Sequence, residues 1–316
     1  MGTVVLAFDV GGTTVKAEVL DEDLRVVTAS TVPTPRGPAV VDELAGLGGR
    51  LLGDLPDDVR GRVSAVGLAF PGIVDAVRGV SVYSANLGLR DTEVTAPLAR
   101  ALGLPVALGH DVVAAAEAER RCGAAADLVD PVVVVIGTGV FAVSYVDGRR
   151  VSGVSGQAGE LGHLPVRPDG PACRCGARGC LEAVASAGAV ARAYAAAVGR
   201  EVDGAREVVA ALGTDPVADR VWAAATEALG DGLLAAVALL APGAVVLGGG
   251  LAQAGPLLTD PVLRRMRLAG PPLAVPPLLT AAFGTRAGVV GAALLALDAA
   301  RAAGTAGSAG AAGAAR

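Results

Sequence analysis

Three cysteines and one histidine form the densest group of metal-binding side chains in the sequence. Cys173, Cys175 and Cys180 lie within eight residues, and His163 precedes the first of them by ten positions. One imidazole and three thiolates are a common donor set for a tetrahedral structural zinc ion. The alternatives are a redox pair at Cys173 and Cys175 or unligated thiols, but Cys-x-Cys lacks the two-residue spacing of the usual redox motif. The spacing therefore predicts a structural Zn²⁺ site, while Cys122 is expected to be a buried core thiol.

Three glycine-rich turns each follow a short apolar run. They are Asp9-Val10-Gly11-Gly12-Thr13-Thr14, Gly137-Thr138-Gly139 and Gly248-Gly249-Gly250. Glycines let the backbone approach a phosphate, amides supply donors, and Thr13 and Thr14 add hydroxyls. Asp9 is a candidate for holding Mg²⁺ through a water molecule. The Walker spacing GxxxxGK[ST] is absent, and each turn alone is also consistent with a plain turn. Together the three turns predict a cradle for one nucleotide.

Three carboxylates are further candidate site residues. Asp111 follows His110 after a predicted strand and opens a predicted helix, where the helix N-terminus favours its ionised form. The alternative is an ordinary N-cap, which is compatible with a catalytic role. Glu160 and Glu182 bracket the cysteine cluster. A folded metal loop would fix both carboxylates as acceptors for a polyhydroxylated ligand, and solvated surface is the alternative.

The elements that position these residues occur as a repeat. Each copy reads strand, glycine turn, strand, turn, strand: Val4–Asp9, Thr14–Leu20 and Leu24–Ser30, then Val132–Val135, Phe141–Val146 and Arg149–Val154. Tight turns leave no room for helices, so each copy predicts an antiparallel meander. The copies begin about 128 residues apart. They predict two similar α/β domains that face a cleft, with coincidence between two glycine-rich hairpins as the alternative.

Further periodic segments complete the predicted domains. We expect helices at Val40–Leu52, Ala96–Leu102 and Val112–Arg121, strands at Val63–Ala69, Val106–Leu108 and Ala244–Leu247, and a last helix at Arg286–Ala299. Residues 1–110 with the helix at about 286–300 would form the first domain, and residues 111–285 the second. The uncharged low-complexity tail, 301–316, is expected to be frayed or disordered.

Composition limits the class of protein. The 316 residues carry 26 basic and 31 acidic side chains, a net charge of −5, which argues against nucleic-acid binding. The uncharged segment Gly232–Thr259 is long enough to span a bilayer. Pro242, Pro256 and three glycines interrupt it, so a buried helix, a turn and a strand are expected instead. No signal peptide is evident, and we expect a cytoplasmic protein without a disulfide framework and without a membrane partner.

The order of the motifs resembles one known family across nearly the whole chain. The matching motifs are Asp9–Thr14, Pro71-Gly72, Asn86-Leu87, the Asp111 segment, Gly137–Gly139, Ala158–His163, Cys173–Glu182, Gly248–Gly250 and Gly284–Gly291. They resemble the ROK family of sugar kinases and sugar-responsive repressors. The pairing of Glu-x-Gly-His with Cys-x-Cys-Gly-x-x-Gly-Cys-x-Glu is specific, whereas glycine turns alone are not. The resemblance implies an α/β, two-domain actin/hexokinase-like (ribonuclease H-like) fold with a cleft between the domains.

The resemblance also implies an activity and site roles. It implies an ATP-dependent kinase that transfers the γ-phosphoryl group to the 6-hydroxyl of a hexose, most simply glucose, with Asp111 as general base. It places six residues at the sugar, namely Gly72, Asn86, His110, Glu160, His163 and Glu182. It assigns the first two glycine turns to the ATP phosphates, the third to the adenosine and Asp9 to Mg²⁺, with His163 bound to both zinc and sugar. A homodimer is implied by the resemblance alone.

Two departures from the family pattern leave alternatives open. His110 replaces the usual asparagine before the base, and Phe141 stands where the family has glycine. The ring of Phe141 either turns into the core or alters phosphate binding.

N-acetylmannosamine, N-acetylglucosamine, fructose and allose remain possible acceptors, and polyphosphate a possible donor. A sugar-binding protein without catalysis is a further alternative. A DNA-binding repressor is disfavoured, because the first glycine turn begins at position 11 and the chain is acidic.

Overall fold

The protein forms two compact units in a computed structural model. The structure describes residues 2–154 and 158–313, with side chains up to residue 303. Unit 1 comprises Met1–Ala118 and Arg286–Arg316, and unit 2 comprises Glu119–Thr285. We expect the change of domain at Asp111, whereas the units divide after Ala118. The division lies within one helix, which begins in unit 1 and ends in unit 2.

Unit 1 is built from eight strands and the helices around them. Its strands are β1 (Val4–Val10), β2 (Thr14–Asp21), β3 (Val26–Pro33), β4 (Val63–Phe70), β5 (Ile73–Asp75), β6 (Val80–Ser84), β7 (Leu89–Glu93) and β8 (Val106–His110). Its helices are α1 (Ala39–Gly53), α2 (Asp57–Arg60), α3 (Thr95–Leu102), the start of α4 (Asp111–Cys122) and α10 (Ala287–Gly313).

The main sheet of unit 1 has the order β3-β2-β1-β4-β8. The pairs β1/β2 and β2/β3 are antiparallel, which confirms the predicted meander, and β4 and β8 add parallel to β1 through helical crossovers. Strand β3 begins at Val26 rather than Leu24, because Leu24 has φ +62° and donates its N–H to Asp21 in the turn. Strands β5 to β7 form a separate small sheet that the sequence patterns did not predict.

Unit 2 repeats this plan. Its strands are β9 (Val132–Ile136), β10 (Val140–Val146), β11 (Arg149–Arg150), β12 (Val245–Gly248) and β13 (Leu278–Thr280). Its helices after α4 are α5 (Leu181–Ala185), α6 (Ala187–Val198), α7 (Gly204–Ala210), α8 (Pro216–Leu240) and α9 (Pro256–Met266).

The sheet of unit 2 has the order β11-β10-β9-β12-β13, the same arrangement as in unit 1. The first three strands are antiparallel neighbours and the last two add parallel to β9, so the predicted repeat is a structural repeat. The third strand is shorter than predicted. It ends at Arg150 instead of Val154, because Gly153 has φ +69°, a value that leaves the extended conformation.

Helix α8 contains much of the core of unit 2. By length and composition it is long and apolar enough to cross a membrane, but half of its most apolar stretch is buried inside the protein. Trp222, Leu229 and Leu233 on this helix belong to the core cluster. The helix ends at Ala241, which has φ +43°, and β12 follows. The uncharged segment therefore contains the helix, turn and strand that its glycines and prolines predict.

Helix α10 brings the C-terminal part of the chain back onto the sheet of unit 1. It packs on β1 and β4, as expected for the last periodic segment. The expectation of a frayed tail is wrong for the described residues, since α10 continues to Gly313. The alanines of this stretch favour a helix, whereas Gly304, Gly307, Gly310 and Gly313 each cost about 1 kcal/mol relative to alanine, so the helix continues from the packed part of α10. The last three residues of the tail lie outside the described part of the chain.

We predict that close packing of α10 makes Gly67 of β4 irreplaceable. A Cβ on Gly67 would lie 1.8 Å from the backbone oxygen of Ala292 in α10. Gly67→Ala should lower the free energy of unfolding by at least about 1–3 kcal/mol, measured by chemical denaturation. Gly49→Ala, at an exposed position of α1 where a Cβ would meet nothing within 4 Å, should be neutral or stabilise by up to about 1 kcal/mol. Equal stability of the Gly67→Ala variant and the parent would contradict the packing described.

Candidate functional site

The first glycine turn leaves backbone donors free. Gly11 donates its N–H to the backbone oxygen of Thr14 at 2.9 Å, which closes the turn between β1 and β2. A Cβ on Gly11 would lie 2.9 Å from that oxygen, so the turn requires glycine there. In the described parts of the chain, the N–H groups of Gly12 and Thr13 have no acceptor. The turn can therefore offer two amides and the Thr13 hydroxyl to an anion, while the amide of Gly11 is already used.

Asn86 and Gly72 lie next to strands of the small β5–β7 sheet in unit 1. A Cβ on Gly12 would lie 3.6 Å from the Cβ of Asn86, so Asn86, predicted at the sugar, lies beside the first glycine turn. Gly72 has φ +95°, and a Cβ there would lie 2.3 Å from the backbone oxygen of Tyr83. The position of Gly72 thus depends on the absence of a side chain.

Asp9 lies at the start of helix α10. The carboxylate occupies space that a side chain on Gly288 would need, since a Cβ there would lie 2.5 Å from the Asp9 Cγ. Burial raises the pKa of Asp9 to about 6, with Lys16 lowering it and Asp111 raising it. A partly buried carboxylate beside a helix N-terminus suits a water-mediated Mg²⁺ ion. Motif spacing missed the role of Gly288, although it lies within the Gly284–Gly291 segment.

Asp111 is the first residue of α4. Its Oδ1 accepts the N–H of Val112 at 2.7 Å, a contact with the next residue rather than the usual N-cap contact two or three residues ahead. Burial raises the pKa of Asp111 to about 6, although the bond from Val112 lowers it. The carboxylate is therefore ionised at neutral pH yet basic enough to accept a proton, which suits a general base.

His110, the last residue of β8, lies against this carboxylate. Its Nδ1 is 3.2 Å from Oδ1 of Asp111 and accepts the N–H of Val112 at 3.3 Å. The imidazole of His110 therefore lies beside the predicted base, where the family has an asparagine amide.

The second glycine turn lies in unit 2 and is closed by a hydrogen bond over two residues, where the first spans three. Gly137 donates its N–H to Gly139 at 2.9 Å, and its oxygen accepts the N–H of Ala187 at the start of α6 at 2.9 Å. Among the described residues, the N–H groups of Thr138 and Gly139 have no acceptor. This turn therefore also has two backbone donors available to an anion.

The third glycine turn lies against the second. Gly249 has φ +84°, and a Cβ there would lie 2.5 Å from the backbone oxygen of Ile136, the residue before Gly137. Gly250 lines a pocket of about 500 Å³, together with Ala187, Asp203, Gly204, Ala205, Arg206, Val209, Leu251, Gln253, Ala254 and Thr285. Ala187 connects this pocket to the second turn. The pocket can hold a nucleoside next to a phosphate site, and no sequence motif indicated its residues from α7.

The cysteine cluster has the geometry of a zinc site. The four ligand atoms of His163, Cys173, Cys175 and Cys180 lie within 4.8 Å of one another. The Sγ atoms of Cys175 and Cys180 are 3.7 Å apart, and Sγ of Cys173 is 3.7 Å from Nδ1 of His163. Thiolates about 2.3 Å from a tetrahedral zinc ion are roughly 3.8 Å apart. The donor set and spacing fit zinc. Cys122 is exposed at the end of α4, not buried as expected, because this terminal position lies outside the core.

The two predicted sugar carboxylates lie on either side of this cluster. Glu160 Oε2 is 3.7 Å from Nε2 of His163, so the ring that turns Nδ1 to the cluster turns its other nitrogen to Glu160. Glu182 follows Cys180 in α5, and its Oε2 accepts the N–H of Val140 at 3.1 Å. A Cβ on Gly139 would lie 2.6 Å from the same oxygen. Glu182 therefore joins the cluster to the second glycine turn.

Comparison with known proteins identifies the family. The ROK family model matches residues 5–299. The structure of the ROK hexokinase from Thermus thermophilus is 37% identical, with a TM-score of 0.80 over 95% of this chain and 99% of that chain. The ROK family glucokinase from Streptomyces griseus, solved in complex with glucose and AMPPNP, is 31% identical, with a TM-score of 0.80 over 93% of this chain and 99% of that chain.

A third relative has a different acceptor in its name. The N-acetylmannosamine kinase from Citrobacter koseri is 36% identical over 191 residues, which are 60% of this chain and 63% of that kinase.

The likeness to the two solved hexose kinases confirms the α/β, two-domain actin/hexokinase-like fold that the motif order implied.

We predict that the purified protein contains about one zinc ion per chain, measured by elemental analysis. Cys175→Ala should lose the metal and weaken sugar binding, because removing one of four ligands leaves an incomplete tetrahedron and frees the loop that carries Glu160 and Glu182. Cys122→Ala is the matched control, since this exposed thiol lies outside the cluster. A fully active wild-type preparation without metal would show that the cluster has another role.

Proposed function

The chain belongs to the ROK family, and we propose that it is an ATP-dependent sugar kinase that transfers the γ-phosphoryl group to the 6-hydroxyl of a hexose, with glucose as the preferred acceptor. The observation that carries this proposal is Asp111, a carboxylate at the start of a helix whose pKa burial raises to about 6. Such a group accepts the proton of an alcohol while staying ionised at neutral pH. The glucose and AMPPNP complex of the Streptomyces griseus relative supports the choice of substrates.

Each part of the reaction has a residue set. The free amides of Gly12, Thr13, Thr138 and Gly139 bind phosphate oxygens, and the pocket beside Gly250 takes the adenosine. Asp111 accepts the proton of the hydroxyl while the hydroxyl oxygen forms its bond to the γ-phosphorus. The bond from that phosphorus to the bridging oxygen breaks, and ADP leaves with the electron pair. Positioning and charge stabilisation supply most of the acceleration in such transfers.

Glu160, His163 and Glu182 bind hydroxyl groups of the sugar, and Gly72 approaches the sugar with its backbone. His110 binds a sugar hydroxyl through its imidazole ring, in place of an asparagine amide. Asn86 lies beside the first glycine turn, so we assign it a place near both turn and sugar. These assignments rest on the position of each group within its own unit and on the family motif.

Two metal ions complete the proposal. Asp9 would hold Mg²⁺ through water, and the ion would supply positive charge to the phosphates of bound ATP. Zn²⁺ at the cysteine cluster is structural and fixes the loop that carries the sugar carboxylates. We further propose a cytoplasmic homodimer with no nucleic-acid or membrane partner, which agrees with the acidic charge of −5.

Two alternatives have their own support. An N-acetylhexosamine kinase is favoured by the N-acetylmannosamine kinase relative. A sugar-binding regulatory protein without catalysis is favoured by the two departures at His110 and Phe141. Turnover separates the second alternative from the kinases, and acceptor preference separates the kinases from each other.

The deciding experiment is a kinase screen over a panel of hexoses and N-acetylhexosamines. ATP and polyphosphate serve as alternative donors, with Mg²⁺ present. We expect sugar-dependent ADP release with ATP, highest with glucose. No turnover with any sugar and either donor, combined with measurable sugar binding, would favour the regulatory alternative.

We predict that Asp111→Asn lowers kcat by about 10²–10⁴-fold, because a positioned base contributes that much, while sugar binding stays measurable by calorimetry. The thermal unfolding temperature at pH 7 should be unchanged or higher, since burial disfavours the charge that the substitution removes. Asp42→Asn on exposed α1 is the matched control and should keep parental kinetics. A parental rate in Asp111→Asn would show that another group accepts the proton.

The pH profile gives a second prediction. The reactive form of Asp111 is ionised and its pKa is raised to about 6, so kcat/KM for the sugar should level off above pH 7 and fall as pH decreases through about 6. Asp9 has a similarly raised pKa, and saturating Mg²⁺ should keep it ionised. The inflection should persist in His110→Asn, because the carboxylate titrates. A profile flat to pH 5 is inconsistent with this assignment.

A further inference from the structure

Strand β10 places an aromatic ring next to the second glycine turn. Val140 and Ala142 are buried, 3% and 4% exposed, and face the core of unit 2. Phe141 lies between them and is partly exposed, because side chains alternate along a strand. The ring therefore lies on the face of β10 opposite the core.

The ring of Phe141 packs against Gly159. A Cβ on Gly159 would lie 2.8 Å from Cε1 and 2.9 Å from Cζ of Phe141. It would also lie 2.0 Å from the backbone oxygen of Ala142, and Gly159 has φ +115°. The ring thus covers the backbone of the residue directly before Glu160. The ring therefore does not turn into the core of unit 2.

The segment around Glu160 cannot easily move away from the ring. The backbone oxygen of Gly159 accepts the N–H of Ala142 at 2.8 Å and that of Leu161 at 2.7 Å. On the far side of Glu160, a Cβ on Gly162 would lie 2.2 Å from the backbone oxygen of Val140. Both flanks of Glu160 are therefore held against β10, and the backbone before Glu160 stays next to the ring.

The apolar Phe141 ring and the Glu160 carboxylate favour different groups of a ligand. Glu160 and the Nε2 of His163 attract hydroxyl groups, whereas the Phe141 ring is rigid and apolar. A sugar bonded to Glu160 meets the ring with its C–H groups at little cost. An N-acetyl group on that part of the sugar needs more space and loses hydration of its amide against a surface without hydrogen-bonding groups.

We propose that Phe141 determines acceptor specificity, selecting a hexose without a bulky substituent over an N-acetylhexosamine. The inference rests on the proposed sugar kinase function and on Glu160 binding the acceptor. Phe141 acts by filling the space beside Glu160, and it takes no part in proton or phosphoryl transfer.

A graded series of side chains tests this role. For the parent, Phe141→Leu, Phe141→Ala and Phe141→Gly, kcat/KM is measured with glucose, N-acetylmannosamine and N-acetylglucosamine at saturating ATP. We expect the ratio of N-acetylhexosamine to glucose activity to rise about tenfold or more in the alanine and glycine variants, because pocket volume changes of this kind have effects of that size. The leucine variant should be intermediate, and KM for ATP should change less than about twofold.

Leu239→Ala, at an 83% exposed position on α8, is the matched control and should leave the ratio unchanged. Thermal unfolding and AMPPNP binding confirm that each variant is folded. An unchanged ratio in folded Phe141→Ala and Phe141→Leu, or a parent that prefers N-acetylhexosamines, overturns the proposal. If the parent phosphorylates no sugar, the kinase function fails, and calorimetric sugar affinities of the same series still decide the role of Phe141.

Discussion

The hydrogen bond from the Val140 N–H to Glu182 Oε2 connects the cysteine cluster of unit 2 to its second glycine turn. Cys180 is fully buried and directly precedes α5, so the cluster that holds its sulfur also fixes Glu182 two residues later. The missing side chain of Gly139 leaves the space that this carboxylate occupies. The four candidate metal ligands are thereby connected, through one short helix and one hydrogen bond, to the second glycine turn.

Two buried carboxylates in unit 1 lower the stability of the folded state when they are ionised. Burial raises the pKa of both Asp9 and Asp111 to about 6, above their ordinary value of 3.8. A carboxylate with a raised folded-state pKa opposes folding while it is ionised. This opposition is complete above about pH 6, decreases as pH falls below that value, and is lost near the ordinary pKa of 3.8. In the proposed kinase, magnesium at Asp9 and a substrate hydroxyl at Asp111 would interact with these two buried charges. Reactivity and reduced stability thus have one physical cause, the removal of two carboxylates from water.

Sequence patterns predicted the features that depend on local chemistry. Val4–Asp9 and Val132–Val135 are unmistakable apolar strands, the turns after them require glycine, and the cysteine spacing matches a tetrahedral ligand set. Features that depend on distant packing were missed or wrong. The place of Gly288 beside Asp9 and the ring of Phe141 over Gly159 join residues far apart in sequence. Cys122 is exposed although its type favours burial, and the alanine-rich tail is helical to Gly313 because it continues a packed helix.

The connection between the cysteine cluster and the second glycine turn is tested most directly by nucleotide affinity. The dissociation constant of AMPPNP is measured by calorimetry, without sugar, for zinc-loaded protein, for protein treated with a chelator, and after zinc is restored. Because Glu182 transmits the order of the cluster to Val140, we expect affinity to fall about tenfold or more on zinc removal and to recover on reloading, a difference of about 1.4 kcal/mol. Equal affinity in all three states, with the protein folded throughout, would contradict the connection.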